Sequence, residues 1–222
     1  MALITAGLVV LADVATTLAW KEPVSTVYGS IQQGKAEDEL AELKSEFPAR
    51  ADLRKVEHIK GIRKKVETLA GLFAKRAQTG EAIGRLRISS IGVDVVVVQG
   101  TDTASLQKGP GHYPETPFPG QGGTTAIAGH RTTYLAPFRH LDQLNPGDEI
   151  ELEMPYANFA YRVQTTRVVD DSAVNIIHKV AYERLVLTAC HPLYSAAQRI
   201  AAFAKLSEVS FFALGGRRWN DP

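Results

Sequence analysis

Residues 185–192 read Leu-Val-Leu-Thr-Ala-Cys-His-Pro, an apolar run that ends in a thiol and is closed by a proline. Branched apolar residues in a short run favour a buried β-strand, and Pro192 has no N–H to donate to a neighbouring strand. Cys190 is therefore predicted at the point where a strand opens into a loop. It is the single cysteine of the chain, which excludes an intrachain disulfide and a zinc site built from several cysteines.

Similar short runs rich in Val and Ile, separated by Gly and Pro, lie on the N-terminal and C-terminal sides of this segment. They predict strands at residues 85–91, 93–98, 124–128, 148–154, 160–169, 183–188 and 199–207. This number of strands favours a mainly β fold, a closed or nearly closed barrel over residues 81–214. Residues 215–222 are predicted to form a flexible tail.

Residues 21–80 have a helical composition and are predicted to form a helical stalk or linker. Leu40, Leu43 and Phe47 have helical spacing, and a second apolar stripe recurs every three or four residues between Val56 and Phe73. Charged residues occupy the other faces of this second segment, as expected for one amphipathic helix.

The segment 1–20 is almost uncharged and ends at Trp20, a residue that suits a membrane interface. Asp13 opposes insertion, because a central Asp costs about 2.5–3.5 kcal/mol on insertion scales. We predict a membrane anchor helix here. The alternative is an apolar helix packed on the domain or on a partner.

Two further polar residues accompany Cys190 at the ends of predicted strands. His130 follows the run 124–128, and Arg199 begins the run 199–207 after a short loop. A thiol with an imidazole and a guanidinium nearby is typical of acyl transfer by a cysteine nucleophile. His191 is the rival base, but adjacent side chains of an extended chain point to opposite sides.

Several motifs resemble those of one enzyme family. Ala128-Gly129-His130-Arg131 and Leu187-Thr188-Ala189-Cys190 with Arg199 resemble the histidine motif, the cysteine strand and the arginine of sortases. Class E sortases of actinobacteria are also similar at Gly111-His112-Tyr113-Pro114, Pro119-Gly120-Gln121, Thr132-Thr133-Tyr134, Ala136-Pro137-Phe138 and Asn145-Pro146-Gly147-Asp148. The similarity runs from Gly84 to Leu206. Val186 and Ala189 depart from the family's TLxTC pattern, which has Thr at both positions.

The resemblance implies a sortase-like closed β-barrel of seven to eight strands with short helices. It implies a cysteine transpeptidase with Cys190 as nucleophile, His130 as acid and base, and Arg199 as oxyanion stabiliser. The candidate substrate-binding residues are Ala189, Thr188, His112, Tyr113, Thr132 and Tyr134.

The implied substrates are secreted proteins with a C-terminal sorting signal of the LAxTG or LPxTG type, cleaved between Thr and Gly through a thioester. The implied acceptor is a cell-wall amine of lipid II or of the peptidoglycan stem. Localisation is expected at the cell membrane, with one N-terminal span held in membrane lipid and an extracellular catalytic domain. Alternatives are a pilin-polymerising sortase, a cysteine peptidase without transfer, an L,D-transpeptidase and an inactive binding barrel.

Charge and composition exclude other classes of function. The formal net charge of +1 is too small to attract nucleic acid electrostatically, so no nucleic-acid partner is expected. The chain contains no pair of metal-ligand motifs and no calcium-binding loop, so no cofactor or metal is expected.

Overall fold

The computed structural model describes residues 4–7, 23–211 and 217–220. Residues 4–7 are helical, and the rest of the predicted anchor over 1–20 lies outside the described residues. None of the helices that are described is long and apolar enough to cross a lipid bilayer.

The centre of the molecule is a barrel formed by one closed sheet. Its strands are β1 Ala82–Ile88, β2 Val93–Gln99, β3 Gly111–His112, β4 Thr124–Ala128, β5 Glu149–Met154, β6 Ala157–Asp170, β7 Arg184–His191 and β8 Gln198–Phe211. They follow the order β6-β5-β1-β2-β3-β4-β7-β8, and pairing of β6 with β8 closes the barrel. The sheet is mixed, because β2–β3 and β4–β7 are parallel and the other neighbouring pairs are antiparallel. The predicted barrel is confirmed.

Successive side chains of β7 point alternately into the barrel and to its outer face. Leu185, Leu187 and Ala189 belong to the main core, whereas Val186 belongs to a small apolar cluster with residues of β4 and β8. Because successive side chains of a strand point to opposite faces, Cys190 lies on the outer face with Val186.

Three helices precede the barrel and pack against it: α1 Pro23–Glu46, α2 Arg50–Glu57 and α3 Ile62–Ala74. The predicted helical region is confirmed, but these helices do not extend away from the barrel as a stalk. On α1, Leu40 packs in a buried cluster with Ala82 of β1 and Val96 of β2. The single stripe predicted from Val56 to Phe73 is divided between α2 and α3, which are separated at Gly61, where φ is +89°.

Aromatic contacts join the helices to the barrel core. The Phe73 ring lies 5.4 Å from that of Phe47, 5.3 Å from Phe118 and 5.6 Å from Tyr156. Leu69 is fully buried in the same core cluster. Residues from the region 21–80 and from the barrel therefore share one hydrophobic core.

Several short elements were not predicted from the sequence. Helix α4 Thr103–Lys108 is capped by Asp102, whose Oδ1 accepts hydrogen bonds from the backbone N–H groups of Ala104 and Ser105. β3 has only two residues, too few to produce an alternating pattern. Residues 217–220 form β9, which pairs with Glu208–Phe211 of β8, where the sequence predicted a flexible tail.

Candidate active site

The candidate catalytic residues lie at the ends of three neighbouring strands, with Cys190 on β7, Arg199 on β8 and His130 just after β4. Cys190 on β7 is the register partner of Arg199 on β8. β4 runs parallel to β7 with Ala128 opposite Thr188, and the Gly129 N–H continues the ladder by donating to the Thr188 carbonyl at 2.9 Å. His130 comes two residues after Ala128, and Cys190 comes two residues after Thr188. If the pairing continues past the end of β4, His130 lies opposite Cys190. Paired residues of adjacent strands share a face, so the three side chains project from one side of the sheet.

The surroundings of the three side chains differ. Cys190 is half-buried and its thiol is free. Arg199 donates from one guanidinium nitrogen to the carbonyls of Ala196 and Gln198, each at 2.9 Å. The His130 ring lies 5.0 Å from the Tyr134 ring, and burial lowers the pKa of His130 below its ordinary value.

A buried arginine ties the ends of β4 and β7 together. Arg131 follows His130 and donates to His191 Nδ1 at 2.8 Å, to the Arg139 carbonyl at 3.3 Å and to Asp142 Oδ1 at 2.9 Å. His191 follows Cys190 and is held by this bond. Arg131 was part of a recognised motif, but its bond to His191 was not predictable, because the two residues are 60 positions apart in the chain and meet only when β4 pairs with β7.

Close packing against Phe138 explains why residue 129, directly before His130, is a glycine. A Cβ on Gly129 would lie 2.5 Å from the Phe138 ring. The Phe138 N–H also donates to the His130 carbonyl at 3.0 Å, which folds the segment 131–138 back over the end of β4. This loop therefore supports the backbone of His130 directly.

Some of the predicted substrate-binding residues lie near Cys190 or His130, whereas others are buried in the barrel. Tyr113 Oη lies 3.0 Å from Thr188 Oγ1, one strand step below Cys190, and Tyr134 contacts His130. Thr132 is half-buried in the loop after His130. The Ala189 side chain is buried in the barrel core, so only its backbone remains available to a substrate.

The predicted substrate contact of His112 is not supported by its position in the barrel. His112 is 1% exposed and its ring stacks on that of Phe118, with 4.4 Å between the centroids. Nδ1 lies 2.9 Å from Gln99 Oε1, and Nε2 lies 3.2 Å from the Thr116 hydroxyl. Burial lowers the pKa of His112 to about 4, so the imidazole is neutral at physiological pH. His112 holds the loop after β3 in place.

Within residues 4–7, 23–211 and 217–220, no group of three or more His, Cys, Asp or Glu side chains is arranged to hold a metal ion.

A closed mixed barrel with a free thiol, an imidazole and a guanidinium at neighbouring strand ends is typical of a cysteine-dependent acyl-transfer enzyme. The sortase domain model matches residues 86–207, and the chain belongs to the sortase family, the cysteine transpeptidases. Members of this family act on substrates that carry a sorting signal.

Named relatives and solved structures show which classes of sortase this chain is similar to. Sortase D of Bacillus subtilis is 32% identical over 145 residues, which cover 65% of this chain and 72% of the relative. A sortase D5 transpeptidase of Clostridium perfringens superposes with a TM-score of 0.61 at 26% identity, covering 77% of this chain and 96% of the other. Sortase E of Streptomyces avermitilis gives a TM-score of 0.56 at 31% identity, covering 63% and 97%. The predicted similarity to class E sortases is confirmed, and class D sortases are also similar.

Proposed function

We propose that this sortase cleaves a C-terminal sorting signal of the LAxTG or LPxTG type between Thr and Gly and transfers the protein to a cell-wall amine. The proposal rests on the pairing of Cys190 with Arg199 across β7 and β8, with His130 two residues beyond the end of β4, the strand that pairs with β7. Adjacent strands lie about 4.8 Å apart, so one scissile peptide can contact all three side chains.

Cys190 is proposed as the nucleophile. Its thiolate attacks the Thr carbonyl carbon, and collapse of the intermediate breaks the C–N bond to Gly and leaves a thioester on Sγ. The amine of the acceptor then attacks the thioester carbonyl and releases the thiolate. No bond to a metal or to a cofactor is required at any step.

His130 is proposed as the acid for the departing glycine amine and as the base for the incoming amine. Because burial lowers the pKa of His130, the imidazolium is the minor form at neutral pH. This favours a modest turnover, since only the protonated fraction can donate to the leaving group.

Arg199 is proposed to stabilise the oxyanion with a permanent charge and a fixed N–H geometry. The Ala189 backbone N–H is a second candidate donor, because the side chain of Ala189 faces the core. Tyr113 and Thr188 are proposed to contact the signal just below Cys190, where their hydroxyls lie 3.0 Å apart. Thr132 and Tyr134 are proposed to contact it from the His130 side.

The proposed acceptor is an amine of lipid II or of the peptidoglycan stem. Residues 1–20 are proposed to anchor the chain in membrane lipid, with residues 21–80 and the catalytic domain 81–214 outside the cell. Polymerisation of pilins is the second role open to the same chemistry, with a lysine amine of another protein as the acceptor.

The test uses the full chain with LAxTG and LPxTG peptides, with and without an amine nucleophile. We expect mass spectrometry to find a thioester on Cys190 and an amide product when the amine is present. Cys190→Ala is the matched variant and is expected to give neither. Hydrolysis without transfer at saturating amine would support a peptidase, and no reaction with any peptide would support an inactive barrel.

A further inference from the structure

The loop after His130 adopts a conformation that needs outside support. Tyr134, Leu135 and Ala136 are consecutive non-glycine residues with φ of +48°, +66° and +45°. The left-handed region costs roughly 1–2 kcal/mol for each such residue, and it persists only where the surroundings hold it. Bonds within the loop contribute, among them the bond from the Ala136 N–H to the Thr133 carbonyl at 2.8 Å.

The outside support comes from the first two turns of α1. Ser25 Oγ accepts a hydrogen bond from the Tyr134 N–H at 3.3 Å, and the Tyr28 ring meets the Tyr134 ring edge-on with 6.1 Å between centroids. Gly29 lies directly against the loop: a Cβ there would be 3.1 Å from the Tyr134 carbonyl carbon and 3.2 Å from Leu135 Cγ. The absence of a side chain at residue 29 thus permits this close approach.

A second attachment holds this end of α1 to the barrel. The Gln33 side-chain amide accepts from the Val96 N–H at 2.8 Å and donates to the Val96 carbonyl at 3.1 Å and to the Lys108 carbonyl at 2.7 Å. Gln33 is one turn after Gly29, so the contact face of α1 is fixed relative to β2. The loop is thereby held between α1 and the barrel.

We propose that the first two turns of α1 form part of the active site, in which Ser25, Tyr28 and Gly29 hold Tyr134 against the imidazole of His130. Tyr134 is a positioning residue: its ring covers one side of the imidazole, limits its rotation and excludes water from it. The lowered pKa of His130 agrees with this cover. The proposal rests on the proposed role of His130 in proton transfer.

Two glycines of α1 provide a matched pair of variants. A Cβ on Gly34 would meet no atom within 4 Å, whereas a Cβ on Gly29 would press on the Tyr134 loop. Gly→Ala in a helix interior stabilises the helix by up to about 1 kcal/mol at either position. Any defect confined to Gly29→Ala therefore arises from the loop contact and not from a weakened helix.

The experiment measures His130 and Cys190 directly in the full chain, without a sorting-signal substrate. NMR titration of the His130 ring and the pH dependence of Cys190 alkylation by iodoacetamide are recorded for the wild type, Gly29→Ala, Gly29→Leu and Gly34→Ala. The titratable groups around the imidazole are Cys190 and Arg199 at the neighbouring strand ends, Tyr134 on its own loop, and Tyr28 of α1 behind Tyr134. All four remain in the Gly29 and Gly34 variants.

We expect the pKa of His130 to rise toward its ordinary value in Gly29→Leu, and less in Gly29→Ala, while Gly34→Ala behaves as wild type. Tyr134→Ala should reproduce the shift. Identical titration and alkylation curves for the Gly29 and Gly34 variants would overturn the proposal. If the shift appears but no peptide is transferred by the wild type, the positioning role stands and the proposed function fails.

Discussion

The bond between Arg131 and His191 offers a sharp test of how the site is held together. It joins the residue after His130 to the residue after Cys190, with 2.8 Å between the guanidinium nitrogen and Nδ1. Arg131→Lys keeps the positive charge but replaces a planar fork of donors with one compact ammonium group. The ammonium can stay with Asp142, and it then loses the bonds to His191 and to the Arg139 carbonyl.

The expected magnitude follows from these contacts. Asp142 is half exposed, so its ion pair contributes only about 0–1 kcal/mol. A hydrogen bond from a charged donor contributes about 1.5–3 kcal/mol. This range applies to Arg131, because its side chain is only 2% exposed and water cannot replace the lost bond. We expect Arg131→Lys to lower the free energy of unfolding by at least about 1.5–3 kcal/mol for the 2.8 Å bond to His191, with a smaller loss from the longer bond to the Arg139 carbonyl. We also expect kcat to fall about tenfold or more, since misplacement of reacting groups by a fraction of an ångström is costly.

The assay combines urea unfolding with steady-state transfer kinetics. Asp142→Asn is the control, because it removes the ion pair and leaves the His191 bond intact. His191→Gln retains an acceptor for Arg131 and should keep most activity, whereas His191→Phe should resemble Arg131→Lys. An unchanged kcat in Arg131→Lys, or strictly additive effects of Arg131→Lys and His191→Phe, would refute the reasoning.

Two further predictions concern stability. Because the folded state holds the pKa of His112 at about 4, below the ordinary value of 6.5, the unfolded chain binds the proton first as pH falls. The free energy of unfolding should therefore fall by roughly 3 kcal/mol between pH 6.5 and 4, and His112→Gln should flatten this dependence. A chain starting at Gly80 loses Leu69, Phe73 and their contacts, at about 1.5–3 kcal/mol for each large side chain. Calorimetry should show a much lower melting temperature than for a chain starting at Pro23, and equal melting temperatures would contradict the shared core.

The nucleophile region was predictable because its signals are local. An apolar run followed by Cys190 and Pro192 places a thiol at a strand end in any sheet, and the order of His130, Cys190 and Arg199 is characteristic of one family. The parallel pairing of β4 with β7 was not predictable, since no local pattern records which strands become neighbours. His112 was misjudged for a related reason, because its motif does not reveal that Phe118 stacks on it.

The amino-acid sequence alone determined the class of fold, the family and the three residues that carry the proposed chemistry, because alternation, turn residues and motif order are properties of short segments. Tertiary structure alone decided that Arg131 joins the two strand ends, that Gly29 of α1 supports the loop over His130, and that the N-terminal helices share the barrel core. These features are contacts between residues far apart in the chain. Their energies depend on distance and burial, which exist only once the barrel has closed.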